Sequence, residues 1–467
     1  MLILNVAVAP RADAVTDEEI YTGLRFPLQP PGARLAAMGG AGLALVDDAA
    51  AARVNPARLG AINAPEIVIE GSMRSSSTVS TDSDFTRFDP SINPFAGTGF
   101  STTVTDDGRT APAYFSYAHP LKVLSRPLVV AFSRFQAVDV SLDARSASRT
   151  TPLSAPPVPS GGDNVLRISE GQLDAEVVLY DLAAGWRLTP TFAVGASLTA
   201  GRLSLSSETT GLLSDPLQFT GPGMSDPRFS GPAAAPLSRT RSDGTDTDFA
   251  FSFGAWWRPH PAVSVGTTYH RGPRFGIPAT SRDLSAMTRE RFSNVVKQPD
   301  TEAAGIVWTP FYRSASANLQ TLTFALDLER VEYGDVLEGL RAGENVLTRS
   351  DFVRRVEYTA DDALETHLGV EYRQSFLTWT LALRAGGYTE HDAGLQLSSA
   401  SGDVGALQGQ SRAMEEDGFL PGQHTRAHAT FGAGARFYSL GFDVALDVSE
   451  HVHQLAASMT WRFGDGR

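Results

Sequence analysis

The sequence predicts an all-β protein, a transmembrane antiparallel β-barrel of about fourteen strands. Three observations predict it. Apolar and polar residues alternate in segments of roughly ten residues, the length a tilted strand needs to cross a bilayer. Long and short connections follow one another in turn. No window of the 467 residues approaches the roughly 18 apolar residues that a spanning helix requires.

Composition agrees. Hydrophobic residues make up 42% and charged residues 19%, enough to bury a sizeable core, and the 43 Gly and 25 Phe suit strands and tight turns. The net charge of −13 leaves no basic footprint for nucleic acid. The absence of cysteine removes disulfides, thiolate catalysis and cysteine-ligated metals.

From the N-terminus, Leu2 to Ala9 resembles a short signal-peptide apolar region, and Ala12-Asp13-Ala14 offers a small-x-small cleavage site, so residues 1–14 are read as a signal remnant. Residues 15–64 precede the first strand. The barrel is expected over residues 65–463, with a tail at 464–467. Its strands centre near Ile67, Tyr114, Val130, Leu179, Ala196, Phe251, Val265, Ile306, Phe324, Leu368, Leu381, Phe431, Val444 and Ala457. In the clearest, Phe442, Val444, Leu446 and Val448 share one face and Asp443 and Asp447 the other. Phe249, Phe251 and Phe253 likewise share a face without charge and should meet lipid.

The long connections run over Arg74–Thr110, Ala137–Asp174, Ser206–Thr247, Arg271–Asp300, Val331–Ala363 and Tyr388–Thr425, and tight turns such as "RLTP", "RPHP" and "YSL" separate them. This is the rhythm of an up-and-down barrel with short periplasmic turns and wide external loops. The backbone must pair fully within lipid, so the sheet must close. The faces opposite the apolar ones carry Asp327, Glu329, Glu371, Arg373, Arg384, Arg436, Asp443 and Asp447, which the lumen should hold in hydrated, mixed-sign surroundings. The last strand, "LAASMTWRF", ends in an aromatic and is similar to the C-terminal assembly signal of outer-membrane barrels, with Gly464-Asp465-Gly466-Arg467 added after it.

The stretch before the first strand is Gly- and Ala-rich. Gly39, Gly40 and Gly42 permit turn conformations closed to other residues. Asp47 or Asp48 should cap a helix in "DAAAARV", and Pro56 should hold Asn55 out of the helical region and end it. "GGAG" lacks the Lys and Ser/Thr of a phosphate loop, and no His or further carboxylate stands near Asp47-Asp48 to make a metal pair. Gly32-Ala33-Arg34, Met38-Gly39-Gly40-Ala41, Asp47-Asp48-Ala49 and Asn55-Pro56-Ala57 with Leu59 resemble the N-terminal signature of the FadL family of outer-membrane barrels. PorV-like accessory barrels of protein secretion share it. The resemblance implies a fourteen-strand barrel in the outer membrane, and a hatch that plugs the lumen and includes Gly39, Gly40, Asp47, Asp48, Asn55 and Pro56.

The expected function is passive uptake of hydrophobic small molecules such as long-chain fatty acids or hydrocarbons. The alternative is a PorV-like barrel docking secreted or surface proteins. Neither needs a cofactor or a metal. No Gly-x-Ser-x-Gly or metal-spaced histidine set points to an enzyme. Expected partners are outer-membrane lipid and the hydrophobic ligand, which should occupy an apolar pocket interrupted by the hatch. Leu217 and Phe219, in a Pro/Gly-rich external stretch, are the candidate entry loop. Asp327, Arg384, Arg436, Asp443 and Asp447 are the lumen polar residues; their mixed signs suit internal pairs better than an ion-selecting ring.

Overall fold

The computed structural model describes residues 30–74, 77–85, 95–106, 110–123, 126–152, 164–213, 236–283, 287–315, 318–334, 355–359, 361–391, 396–401, 425–449 and 453–463. The first strands are β1 (Glu66–Arg74), β2 (Ser77–Phe85), β3 (Phe95–Asp106), β4 (Thr110–Val123) and β5 (Arg126–Pro152). They are followed by β6 (Asn164–Thr189), β7 (Phe192–Leu213), β8 (Pro236–His260), β9 (Val263–His270), β10 (Arg274–Asp283) and β11 (Thr288–Lys297). The remainder are β12 (Thr301–Ala315), β13 (Asn318–Val331), β14 (Arg355–Thr359), β15 (Ala363–Ser375), β16 (Trp379–His391), β17 (Gln396–Ser401), β18 (Thr425–Phe437), β19 (Leu440–Val448) and β20 (His453–Arg462).

Fourteen of these close a ring of antiparallel pairs in the order β1, β4, β5, β6, β7, β8, β9, β12, β13, β15, β16, β18, β19, β20. Closure is made by β1 against β20, in register from Glu66↔Arg462 to Arg74↔Gln454. Every backbone group at membrane depth thereby has a partner strand, and no edge faces lipid. All the strand centres read from alternation fall within these fourteen strands. The other six belong to the wide connections. The β2–β3 pair lies against β5, the β10–β11 hairpin joins β8, and β14 pairs with β17 in a separate small sheet.

Two expected loops are largely strand. β5 to β8 run for 27, 26, 22 and 25 residues, well past the roughly ten that a bilayer needs, and take up much of Ala137–Asp174 and Ser206–Thr247. The reason is a reversal of face polarity along one strand. On β6, Tyr180 and Leu182 are exposed on the outer face, but toward the outer rim that face carries exposed Glu170, Gln172, Asp174 and Glu176. The inner face keeps Leu173, Ala175, Val177 and Leu179 fully buried. The wall thus leaves lipid near Val178 and continues in water as an extended sheet with an apolar inner face.

The β10–β11 hairpin covers that face. Phe275, Ile277 and Val296 pack on Val138, Val140, Leu173, Leu179, Leu203 and Leu205. At the opposite rim the turns are tight, as expected, and exposed Trp257, Trp308, Phe437 and Trp461 form an aromatic girdle. Between the two rims Phe249, Phe253, Phe442, Val444 and Leu446 face outward, and Phe251 leans on Phe253 and Tyr269.

Candidate functional site

Residues 30–62 lie inside the ring. Their secondary structure is slight: α1 (Ala33–Ala36), α2 (Ala51–Val54) and one 3-10 helix at Pro56–Ala61. Gly39 and Gly40 adopt φ values of 64° and 82° and turn the chain where a side chain would be strained. Gly42 does not share that conformation; a Cβ there would strike Leu35 instead.

A buried irregular segment needs partners for its backbone, and the barrel wall supplies them. Glu70 accepts the Gly32 N–H. One carboxylate oxygen of Asp327 accepts both Gly42 N–H (2.6 Å) and Leu43 N–H (2.9 Å). His367 Nδ1 donates to Gly39 O at 2.8 Å, and Ser264 Oγ to Ala44 O at 3.3 Å. Ala49 N–H donates to Glu66 at 2.8 Å, while Tyr114 OH donates to Ala49 O at 3.2 Å. Glu66 is also paired with Arg462, which donates to Asp47 O at 3.1 Å, so the seam that closes the barrel holds the segment too.

Asn55 is extended (φ −154°), and Pro56 starts the 3-10 helix after it. Its Oδ1 caps that helix by accepting Ala57 N–H, and its Nδ2 donates to Leu43 O and to wall Ala255 O. The "DAAAARV" helix is shorter than expected. Ala50 is its N-cap, with no side-chain cap bond; the Asp48 carboxylate accepts the Ala50 N–H and its backbone carbonyl the Ala51 N–H, both at 3.0 Å. Asp47 is drawn away from capping by its ion pair with Arg34.

The wall is cut back where this segment touches it. Gly195 lies beside Gly185 and Gly254 in the strand register, and a Cβ on Gly195 would fall 2.2 Å from Pro56 C. Gly386 pairs with Gly369, and its Cβ would fall 2.3 Å from Met38 C. Glycine inside a strand is costly unless another backbone approaches closely, which is the case at both positions.

Asp327, Glu371, Arg384 and Asp447 are buried and bonded to partners, while Arg373, Arg436 and Asp443 are partly exposed. Arg34 makes a two-pronged contact with Glu371 (3.1 and 3.2 Å) and also pairs with Asp47. Glu371 accepts from Arg384 (2.7 Å) and Arg373 (2.9 Å), and Arg384 reaches Asp443 at 2.6 Å. Asp447 takes Tyr388 OH at 2.7 Å and meets His428 at 3.0 Å. Arg436 is half-buried, opposite Gly441 in the β18–β19 register. Of the five expected lumen residues, Arg384 and Asp443 contact each other, Asp447 and Asp327 serve separate partners, and Asp327 holds the plug backbone.

Within the plug, burial opposes the charge of Asp47, yet Arg34, Arg373 and Arg436 hold its carboxyl well below the usual range. Burial and the Asp47 charge push Asp48 up. Burial pulls Arg58 down to about 10; its guanidinium lies 4.6 Å from the Trp256 ring centre.

Above the plug is a cavity of about 70 Å³, bounded by Gly40, Leu43, Val54, Phe135, His270 and His367, with Thr268, Gln298, Asp327 and Glu329 among the other lining residues. Its lining mixes apolar and polar side chains, and the apolar surface further out is packed against the β10–β11 hairpin. Sequence reasoning missed His270, Gln298 and His367 as neighbours because three separate chain regions bring them together. Leu217 and Phe219 lie outside the described residues. Among the described residues no group of three or more His, Asp or Glu is arranged to hold a metal ion.

No family model and no curated protein matches the chain. Solved structures do. A FadL homologue of Pseudomonas aeruginosa is 15% identical, with a TM-score of 0.54 over 92% of this chain and 98% of its own. The toluene transporter TbuX of Ralstonia pickettii is 16% identical, with a TM-score of 0.52 over 94% and 100%. The monoaromatic hydrocarbon channel CymD is 15% identical, with a TM-score of 0.51 over 94% and 99%. The closed fourteen-strand ring therefore has the FadL-type outer-membrane transporter fold.

Proposed function

We propose that this protein is an outer-membrane channel for passive uptake of small hydrophobic compounds, hydrocarbons or long acyl chains, with residues 15–64 as its hatch. One observation carries the reading. The N-terminal segment is bonded to the wall from Glu70 and Glu66 at one side to Asp327 and His367 at the other, so it stands across the lumen as a plug. An ion pore needs a continuous aqueous path lined by one sign of charge; here Arg34, Glu371, Arg384 and Asp443 form a closed mixed-sign network. A plugged barrel suits a solute that gains free energy by leaving water. The likeness in fold to toluene and monoaromatic hydrocarbon channels supports the same reading.

In this account Gly39, Gly40, Asn55 and Pro56 shape the hatch, and Asp47 and Asp48 set its charge. Cells that carry the gene should accumulate labelled toluene or a labelled long-chain fatty acid faster than cells that lack it, at solute concentrations where the outer membrane limits entry. Equal rates for both solutes would overturn the proposal.

A further inference from the structure

The cavity above the plug has an unusual lining. Five of its lining residues carry a buried polar atom without a hydrogen-bond partner: Thr268 Oγ1, His270 Nδ1, Gln298 Oε1, Asp327 Oδ1 and His367 Nε2. Thr268, Gln298 and His367 are each at least nine-tenths buried as residues. A buried polar atom left unpaired is costly, and five among the residues of one cavity point to a bound polar group that pairs with them.

Most of these atoms accept. His367 Nδ1 faces Gly39 O, which can only accept, so Nδ1 carries the proton and Nε2 of the neutral ring is a bare acceptor. Gln298 Oε1 is an acceptor, and a Thr hydroxyl can accept. The nearest carboxylates add further acceptors: Glu329 and Glu365 lie 3.8 and 3.9 Å from His367 Nε2, beyond hydrogen-bond reach. The cation at this level is Arg53, and it is already engaged by buried Asp181 at 3.7 Å and by the Phe135 ring. Arg271 also borders the cavity, but it is exposed and lies over Phe251 on the outer face.

We infer that this cavity binds the hydroxyl end of a neutral hydrophobic solute, as in a phenol or an alcohol, and discriminates against the carboxylate end of an acid. A hydroxyl donates to the bare acceptors, and its apolar body rests on Leu43, Val54 and Phe135. A carboxylate brings only further acceptors next to Asp327 and Glu329. The inference rests on the proposed channel function and names the solute class within it.

Phenol, benzoate and toluene, titrated calorimetrically at pH 8 into the detergent-solubilised full-length barrel, test it. Phenol should bind at least tenfold more tightly than benzoate. Thr268→Val and Gln298→Leu together should weaken phenol about tenfold and leave toluene within twofold, whereas Gln298→Glu, which keeps an acceptor, should retain phenol. Heat-dependent gel mobility confirms that each variant barrel is intact. Benzoate binding as tightly as phenol, a phenol preference unchanged in the double variant, or no phenol binding would each overturn the inference. Failure of toluene uptake in cells would instead overturn the channel function, so the two failures are distinguishable.

Discussion

Glu371 holds Arg34 of the plug and Arg384 of the wall at one carboxylate, and both guanidiniums are almost wholly buried. Removing its charge leaves two buried cations with one partner each. Glu371→Gln should therefore cost about 3 kcal/mol, read as a lower unfolding temperature, because breaking a buried pair leaves uncompensated charge. Asp47 is about a third exposed (37%), and water screens its pair with Arg34, so Asp47→Asn should cost only about 1 kcal/mol. The two acids of the plug respond to pH with opposite sign. Asp47 titrates below its unfolded value, so its contribution is present above that value and fades as the pH falls toward the lower, folded one. Asp48 titrates above its unfolded value, so it destabilises the folded plug at neutral pH, and that cost is relieved as the pH falls through the raised value. Asp48→Asn keeps an acceptor for Ala50 N–H; it should slow hydrogen exchange at residues 49–54 at pH 7 and change it little at pH 4. Faster exchange at pH 7 would contradict this assignment.

At the scale of elements, the plug and its glycine cradle act together. Gly195→Ala puts a methyl group against the Pro56 backbone, and neither backbone can yield cheaply. The plug should shift, and small polar solutes should leak through reconstituted barrels more than through the wild type. Deleting residues 30–62 should produce the larger leak; an unchanged leak would show that the segment is no barrier. The fourteen strands were legible because lipid on one side and a polar lumen on the other impose strict alternation, as on β19. The upper parts of β5 to β8 were not, since above Val178 the polar face turns outward and resembles loop sequence. The partners of the plug were equally hidden: Asp327 is 285 residues from Gly42, and His367 is 328 from Gly39. Local patterning carries no information on pairs that only barrel closure creates.

The whole molecule joins a closed wall, a plug bonded to it and a small cavity of mixed lining above the plug. The apolar outer belt places the barrel in lipid, and the apolar inner face of the strands beyond it is covered by the β10–β11 hairpin. What crosses such a barrel must part from water, pass the plug and meet no aqueous column. The most direct test is a paired flux measurement on vesicles whose outer leaflet is lipopolysaccharide, which itself resists hydrocarbons. With the intact protein inserted, labelled toluene should enter several-fold faster than into protein-free vesicles, while a labelled pentose and chloride should stay at the protein-free rate. Rapid pentose or chloride entry without faster toluene entry would contradict the account and make the barrel a water-filled pore.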